Sequence, residues 1–190
     1  DSGALYRLVG HAVVKSGIGF EDENKIRELA SKLNVNFSDG EVFLDGDRVT
    51  DLIRTETAGN NASRVAAMPA VRAALLDWQR DYAHAPGLVA DGRDMGTTVF
   101  PSAGVKIFLT ADPGERAQRR YKQLKEKGLP ANLAALTADL KERDARDRER
   151  SVSPLVAAAD AVEIDSTALS IDDVVERVLR QAQRSFGTPT

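Results

Sequence analysis

Apolar residues recur every three or four positions at the start of the chain and every second position further on, and this change of period marks the first boundary in the fold. Leu5, Val9 and Val13 share one face of a helix predicted to about Lys15, with Asp1 and Ser2 available to cap it and Gly17 to stop it. Ile26, Leu29 and Leu33 give a second helix over about Asp22 to Leu33. The period then becomes two. Val35 and Phe37 precede Asp39-Gly40, Val42 and Leu44 follow it, and Gly46-Asp47 leads to Val49. Asp-Gly between alternating apolar residues is a hairpin signal, so this stretch predicts a three-stranded antiparallel meander.

Helical spacing returns over about Glu56 to Ala67, and again after Pro69 with the stripe Val71, Leu75, Trp78 and Tyr82, ended by Pro86-Gly87. Leu88-Val89-Ala90 predicts a short apolar strand feeding the loop Asp91-Gly92-Arg93-Asp94-Met95-Gly96, and Val105 to Leu109 predicts another buried strand. Asp112, Pro113 and Glu115 open the next helix in the pattern of a capping box, and Gly128 closes it. A helix over about Leu133 to Arg150, a strand over Ala161 to Ile164 and a helix from Ser170 to about Gln183 complete the chain. Strands alternating with helices of this size mean an α/β domain with a mostly parallel sheet, carrying the meander as an insertion on one side.

Composition narrows the function. The chain has 190 residues, 42% hydrophobic and 29% charged, as expected of a single soluble globular domain. Lys and Arg total 26 against 29 Asp and Glu, for a formal charge of -3. That balance argues against a nucleic-acid coat or a membrane-surface binder. The absence of cysteine excludes disulfides and thiolate-held zinc, and His11 and His84 lie too far apart to suggest a metal site. No apolar run reaches the length of a membrane span, and no signal peptide is visible. The chain begins at Asp1 without a methionine, from which an absent upstream segment is expected.

Three segments can carry chemistry. In LVADGRDMG, Leu88 to Gly96, a strand runs into a glycine-containing loop, and ligands of open α/β sheets bind at the carboxyl ends of strands. Arg93 there could fork onto phosphate oxygens and Asp94 could accept from an amino or hydroxyl group; alternatively the two satisfy each other in a tight turn. In KERDARDRER, Lys141 to Arg150, the charges nearly cancel, which fits a solvated helix laced with ion pairs. Yet Arg143, Asp147 and Arg150 fall at i, i+4 and i+7, so one face could offer two guanidinium groups and a carboxylate to a nucleotide. In ERAQRR, Arg116, Arg119 and Arg120 could converge on a polyanion, or belong to an ordinary amphipathic helix. Ser2, Arg7, Ser63 and Arg72 are weaker candidates taken singly.

Together the segments resemble bacterial cytidylate kinase, a nucleoside monophosphate kinase of the P-loop class. The matching pieces are DSGALYR at 1–7, IRTETAGNNASRVAAMPAVR at 53–72, ADGRDMGTTVFP at 90–101, VKIFLTA at 105–111, LKERDARDRERSVSPL at 140–155 and ADAVEIDSTALSIDDV at 159–174. They cover nearly the whole chain, and ADGRDMGTTVFP combined with KERDxRDxxR is highly specific. The resemblance implies transfer of the γ-phosphoryl group of ATP, with Mg²⁺, to CMP or dCMP. It implies a three-layer parallel-sheet P-loop kinase fold with an antiparallel NMP-binding insertion and a short lid. As one kinase domain, its core would take 1–20, 88–112 and 158–190, the insertion about 21–86 and the lid about 113–157.

The resemblance also implies roles. Ser2, Arg72 and Asp94 resemble the cytosine-reading residues, and these groups suit a base whose O2 and N3 accept while its amino group donates. Arg7, Arg93 and Arg150 resemble ligands of the CMP phosphate, and Ser63, Arg143 and Asp147 the ribose-side contacts. Arg116, Arg119 and Arg120 resemble lid arginines closing on the transferring phosphoryl group, so Arg93, Arg116, Arg119, Arg120 and Arg150 are the implied catalytic set. Asp91 resembles a partner of Mg²⁺ through its water shell. Members of the family open with a strand, a G-x-x-x-x-G-K-[ST] loop around the ATP phosphates and a helix. Nothing in these residues matches that unit of roughly 30 residues, and the chain without it is expected to lack turnover. A cytoplasmic monomer without nucleic-acid or membrane partners is expected. Another nucleoside monophosphate or salvage kinase, or a nucleotide-binding module that has lost catalysis, are the alternatives.

Overall fold

A computed structural model describes residues 1–187. The chain divides into two compact units, Asp1–Met95 with Glu149–Pro154, and Gly96–Arg148 with Leu155 onward.

The first unit is built on α1 (Gly3–Lys15), whose Leu5, Leu8, Val9 and Val13 are buried as the helical stripe requires. Ser2 stands at the N-cap position but makes no capping bond with its side chain. Its backbone is already helical, at φ -66° and ψ -25°, and its amide donates to the Asp91 carbonyl at 2.9 Å. α2 (Glu23–Ser31) is capped by Asp22, whose carboxylate accepts from the Lys25 amide. α3 (Glu56–Ala66) is capped by Thr55, and α4 (Pro69–Asp81) carries proline in its first turn, where no amide hydrogen is needed. α1 and α3 pack closely: a Cβ on Gly10 would fall 3.0 Å from Asn61 Cβ and 3.1 Å from the Asn61 carbonyl carbon.

The meander forms as the alternation predicts. β1 (Val35–Ser38), β2 (Glu41–Leu44) and β3 (Asp47–Arg48) are antiparallel in that order, with Val35 opposite Leu44 and Phe43 opposite Arg48. Asp39 and Gly40 both take positive φ, 52° and 77°, as do Asp45 and Gly46 at 53° and 86°. Two such residues give the turn whose twist matches the flanking strands. Val42 and Leu44 face inward to the core shared with α1 to α4.

The strand expected at 88–90 does not form. No ladder borders this segment among the described residues, and Val89 is 98% exposed. An apolar run becomes a strand only where another strand takes up its amide and carbonyl groups.

In the second unit, β4 (Ile107–Thr110) and β5 (Val162–Asp165) pair in parallel, Ile107 opposite Val162 and Thr110 opposite Asp165. α5 (Pro113–Glu126) begins at Asp112, whose carboxylate accepts from the Gly114 and Glu115 amides. The reciprocal half of the expected capping box is missing, because Glu115 turns forward to the Arg119 guanidinium at 3.0 Å. α6 (Leu133–Glu149) packs on α5 through Ala117, Leu124 and Leu136, with Tyr121 and Leu140 beside them. α7 (Ile171–Phe186) opens with a complete capping box between Ser170 and Asp173. Lys106, nearly buried, donates to both oxygens of Asp160 and to the Pro101 carbonyl, fixing the turn before β4. The whole is a mixed α/β architecture with a parallel pair and an antiparallel meander. No helix among the described residues is long and apolar enough to cross a membrane.

Candidate active site

In the first unit, α4 buries two polar side chains, Arg72 and Gln79, along with Val71 and Leu75. A buried guanidinium must be paired. One terminal nitrogen of Arg72 donates to the Asp94 carboxylate, and the other to the Ala66 carbonyl at 3.1 Å. Arg72 and Asp94 are only 7% and 4% exposed. The guanidinium carbon also lies 5.5 Å from the centre of the Tyr6 ring. Burial pushes the Tyr6 phenol above its ordinary pKa; the Arg72 charge pulls it down and Asp94 pushes it further up.

The pairing is incomplete. Arg72 Nε, the Ser63 hydroxyl and the Gln79 amide nitrogen are buried without a hydrogen-bond partner among the described residues. Such groups are costly unless something completes them. A carboxylate beside a guanidinium with an unused N–H suits a small planar ligand that both donates and accepts.

The loop after α4 approaches α1 closely. A Cβ on Gly92 would lie 2.2 Å from Ser2 Oγ, so glycine is what lets the chain pass there. Arg93 is exposed on this loop, beside buried Asp94. Arg7 donates to the Ile53 and Thr55 carbonyls, at 2.8 and 3.2 Å, where the chain enters α3. Arg150 lies past the end of α6, in the first unit, and its Nε donates to the Ser153 carbonyl. The helical-face argument therefore reaches only Arg143 and Asp147. Ser153 at φ +50° and Pro154 turn the chain out of the helix.

In the second unit the three arginines of α5 do not converge. Arg116 forks onto Asp144 of α6, with one bond at 3.1 Å and a second, shorter one. Arg119 reaches the other way, to the Ser166 hydroxyl and carbonyl and the Thr167 carbonyl, tying α5 to the end of β5. Arg120 lies 3.5 Å from Gln123 of its own helix. Arg143 is half-buried and Asp147 buried on α6.

No cluster of three or more possible metal ligands exists among the described residues. Asp91 is a single carboxylate, 79% exposed.

The cytidylate kinase family model matches residues 1–184. The chain belongs to the cytidylate kinase family. It is similar to the cytidylate kinase of Pseudomonas aeruginosa, 53% identical over 97% of this chain and 83% of the relative. It is also 53% identical to that of Pseudomonas fluorescens over 95% of this chain and 82% of the relative. For Salmonella arizonae the figures are 53%, 98% and 84%. The family is one of phosphotransferases, and the α/β architecture is that of its P-loop fold.

Three residues escape the sequence reading. Tyr6, beneath Arg72, follows Ser2 by one helical turn within DSGALYR. Gln79 follows Arg72 by two turns on α4, and a polar residue amid Leu75 and Trp78 was the available signal. Asp144 stands beside Arg143 within KERDARD, where charge balance concealed its burial.

Proposed function

We propose that this kinase domain, completed by the family's ATP-phosphate loop, transfers the γ-phosphoryl group of ATP to CMP or dCMP, giving ADP and CDP or dCDP. The observation that carries this reading is the buried Arg72–Asp94 pair, whose Arg72 Nε has no hydrogen-bond partner among the described residues. Asp94 accepts from the cytosine amino group, Arg72 donates to the ring nitrogen or carbonyl, and Ser2 completes the contacts on the base. Arg7, Arg93 and Arg150 hold the acceptor phosphate, with Arg93 exposed on its loop for that purpose. Ser63, Arg143 and Asp147 serve the ribose. Arg116, Arg119 and Arg120 belong to the lid region and answer the charge that develops on the transferring phosphoryl oxygens. Phosphoryl transfer calls mainly for positioning and charge neutralisation, which fixed guanidinium groups supply.

Mg²⁺ accompanies ATP on this reading, bound by phosphate oxygens, and Asp91 is its nearest protein partner through water. The net charge of -3 suits small anionic substrates met through local arginines rather than a polyanion bound over a broad face. The enzyme is read as a cytoplasmic monomer. The kinase domain is read as a core of 1–20, 88–112 and 158–190 with the insertion at 21–86 and the lid at 113–157.

The test is base choice. In the full-length protein, Asp94→Asn is expected to weaken kcat/KM for CMP relative to UMP by about 1–3 kcal/mol, the cost of an unpaired buried polar group. Equal losses for both nucleotides would remove Asp94 from base reading. A wild-type enzyme that prefers UMP or AMP to CMP would overturn the substrate assignment.

A further inference from the structure

Asp144 has no role in the account above, yet it is among the few buried carboxylates, and it takes both terminal nitrogens of Arg116. The two residues come from different helices, α5 and α6. The side chains are unequally covered: Asp144 is 9% exposed and Arg116 28%. The carboxylate is thus the buried, fixed member and the guanidinium the one that reaches outward. Arg116 Nε, not engaged by Asp144, is buried without a partner among the described residues.

We propose that Asp144 is a positioning residue for phosphoryl transfer, which holds the Arg116 guanidinium end-on so that its Nε–H edge stays directed at the phosphoryl group. This rests on the reading of Arg116 as a lid arginine. A free arginine has four rotatable side-chain bonds and would spend most of its time misaligned. Gripping both terminal nitrogens from a buried carboxylate fixes the plane of the fork before substrate arrives. The same carboxylate offsets part of the arginine's charge, so the arrangement trades attraction for orientation. That trade benefits a step that depends on alignment, and it does little for ground-state binding of CMP. A helix staple alone would account for the pair but not for the buried Nε left without a partner among the described residues.

The test is Asp144→Asn in the full-length protein, assayed well below its unfolding temperature and compared with Arg116→Ala and the double variant. Asp144→Asn keeps shape and polarity but loses the second acceptor oxygen and the charge. The expected result is a fall in kcat of about 10- to 100-fold with KM for CMP changed less than about threefold. The double variant should be no slower than Arg116→Ala, because a positioning residue has nothing left to position. Asp144→Glu, which restores the carboxylate one methylene further out, should recover part of the rate. If Arg116→Ala is impaired while folded Asp144→Asn keeps wild-type kcat, the positioning proposal falls and the lid reading stands. If Arg116→Ala itself keeps wild-type kcat, the lid reading falls and takes the proposal with it. Should Asp144→Asn not fold, Asp144→Glu carries the test alone. A slowed kcat with unchanged KM supports the proposal, and a wild-type kcat overturns it.

Discussion

Two Arg–Asp pairs of similar chemistry sit in contrasting surroundings. Arg72–Asp94 lies in the unit whose core runs through α1 to α4 and the meander and includes fully buried Leu8, Val9, Ile26, Leu75 and Val71. Arg116–Asp144 bridges α5 and α6, whose shared core is little more than Ala117, Leu124 and Leu136. The first pair is closed off from water on both sides. The second exposes its arginine. A base has to be recognised by groups that do not shift, since a misplaced acceptor discriminates nothing. On the proposed reading a phosphoryl group is met by a guanidinium that is held in place yet still reachable. Burial, not residue identity, sets how strongly each pair interacts and how accessible it is.

The contrast breaks most sharply on truncation. Arg72→Ala removes the guanidinium from a buried ion pair, so the first unit should lose about 3–5 kcal/mol. Arg116→Ala also leaves a buried carboxylate behind, but its arginine is part-exposed and water can reach the gap, so its cost should be smaller, about 1–3 kcal/mol. Denaturant unfolding of the two variants measures both. Similar losses would mean that the pairs are energetically alike and that their different burial decides nothing.

A change of backbone spacing comes next. Gly10→Ala puts a methyl group 3.0 to 3.2 Å from Asn61 and Ala62, so α1 and α3 must move apart. Overpacking of this kind costs about 1–3 kcal/mol. If that shift reaches Tyr6 on α1, whose ring lies under Arg72, KM for CMP should rise with the loss of stability. An unchanged KM would detach helix spacing from base recognition.

The smallest expected effect concerns pH. The folded Tyr6 phenol titrates above its ordinary value near 10.0, chiefly through burial. The unfolded chain releases that proton first. Stability is therefore unaffected by this group below about pH 10 and falls as pH rises from there toward the folded value. Tyr6→Phe should flatten that alkaline decline while leaving the neutral range alone. An equally steep decline in the variant would assign it to other groups.

Much of this was legible from pattern. The meander followed from Asp39-Gly40 set in alternating apolar residues, because turn chemistry and side-chain period act locally. The family motifs single out Arg72, Asp94 and Asp147, which are buried polar residues. What escaped was whatever depends on a distant partner. Leu88-Val89-Ala90 has strand composition, but a strand is completed by its neighbour. Arg150 has the spacing of the α6 face but falls one residue past the helix end at Glu149. Arg116, Arg119 and Arg120 have the spacing to converge, yet each is claimed by a different group: Asp144, the Ser166–Thr167 carbonyls and Gln123. Asp144 itself reads as one more charge in a balanced run, and only the packing of α6 against α5 shows it inside.

The parallel pair has a consequence for the order of folding. β1 and β2 are joined across Asp39 and Gly40 alone, whereas the Ser166 hydroxyl meets the Thr110 carbonyl 56 positions away. Closing a span of that length carries an entropic cost before any strand bond rewards it, while a hairpin forms in about 1–10 μs. α5 and α6 lie wholly inside the span. Docked on each other first, they would shorten the distance the chain must close, so β4 and β5 should zip after the helical hairpin and well after the meander. Pulsed hydrogen exchange during refolding would then show the Phe43 amide protected early and the Ile164 amide late.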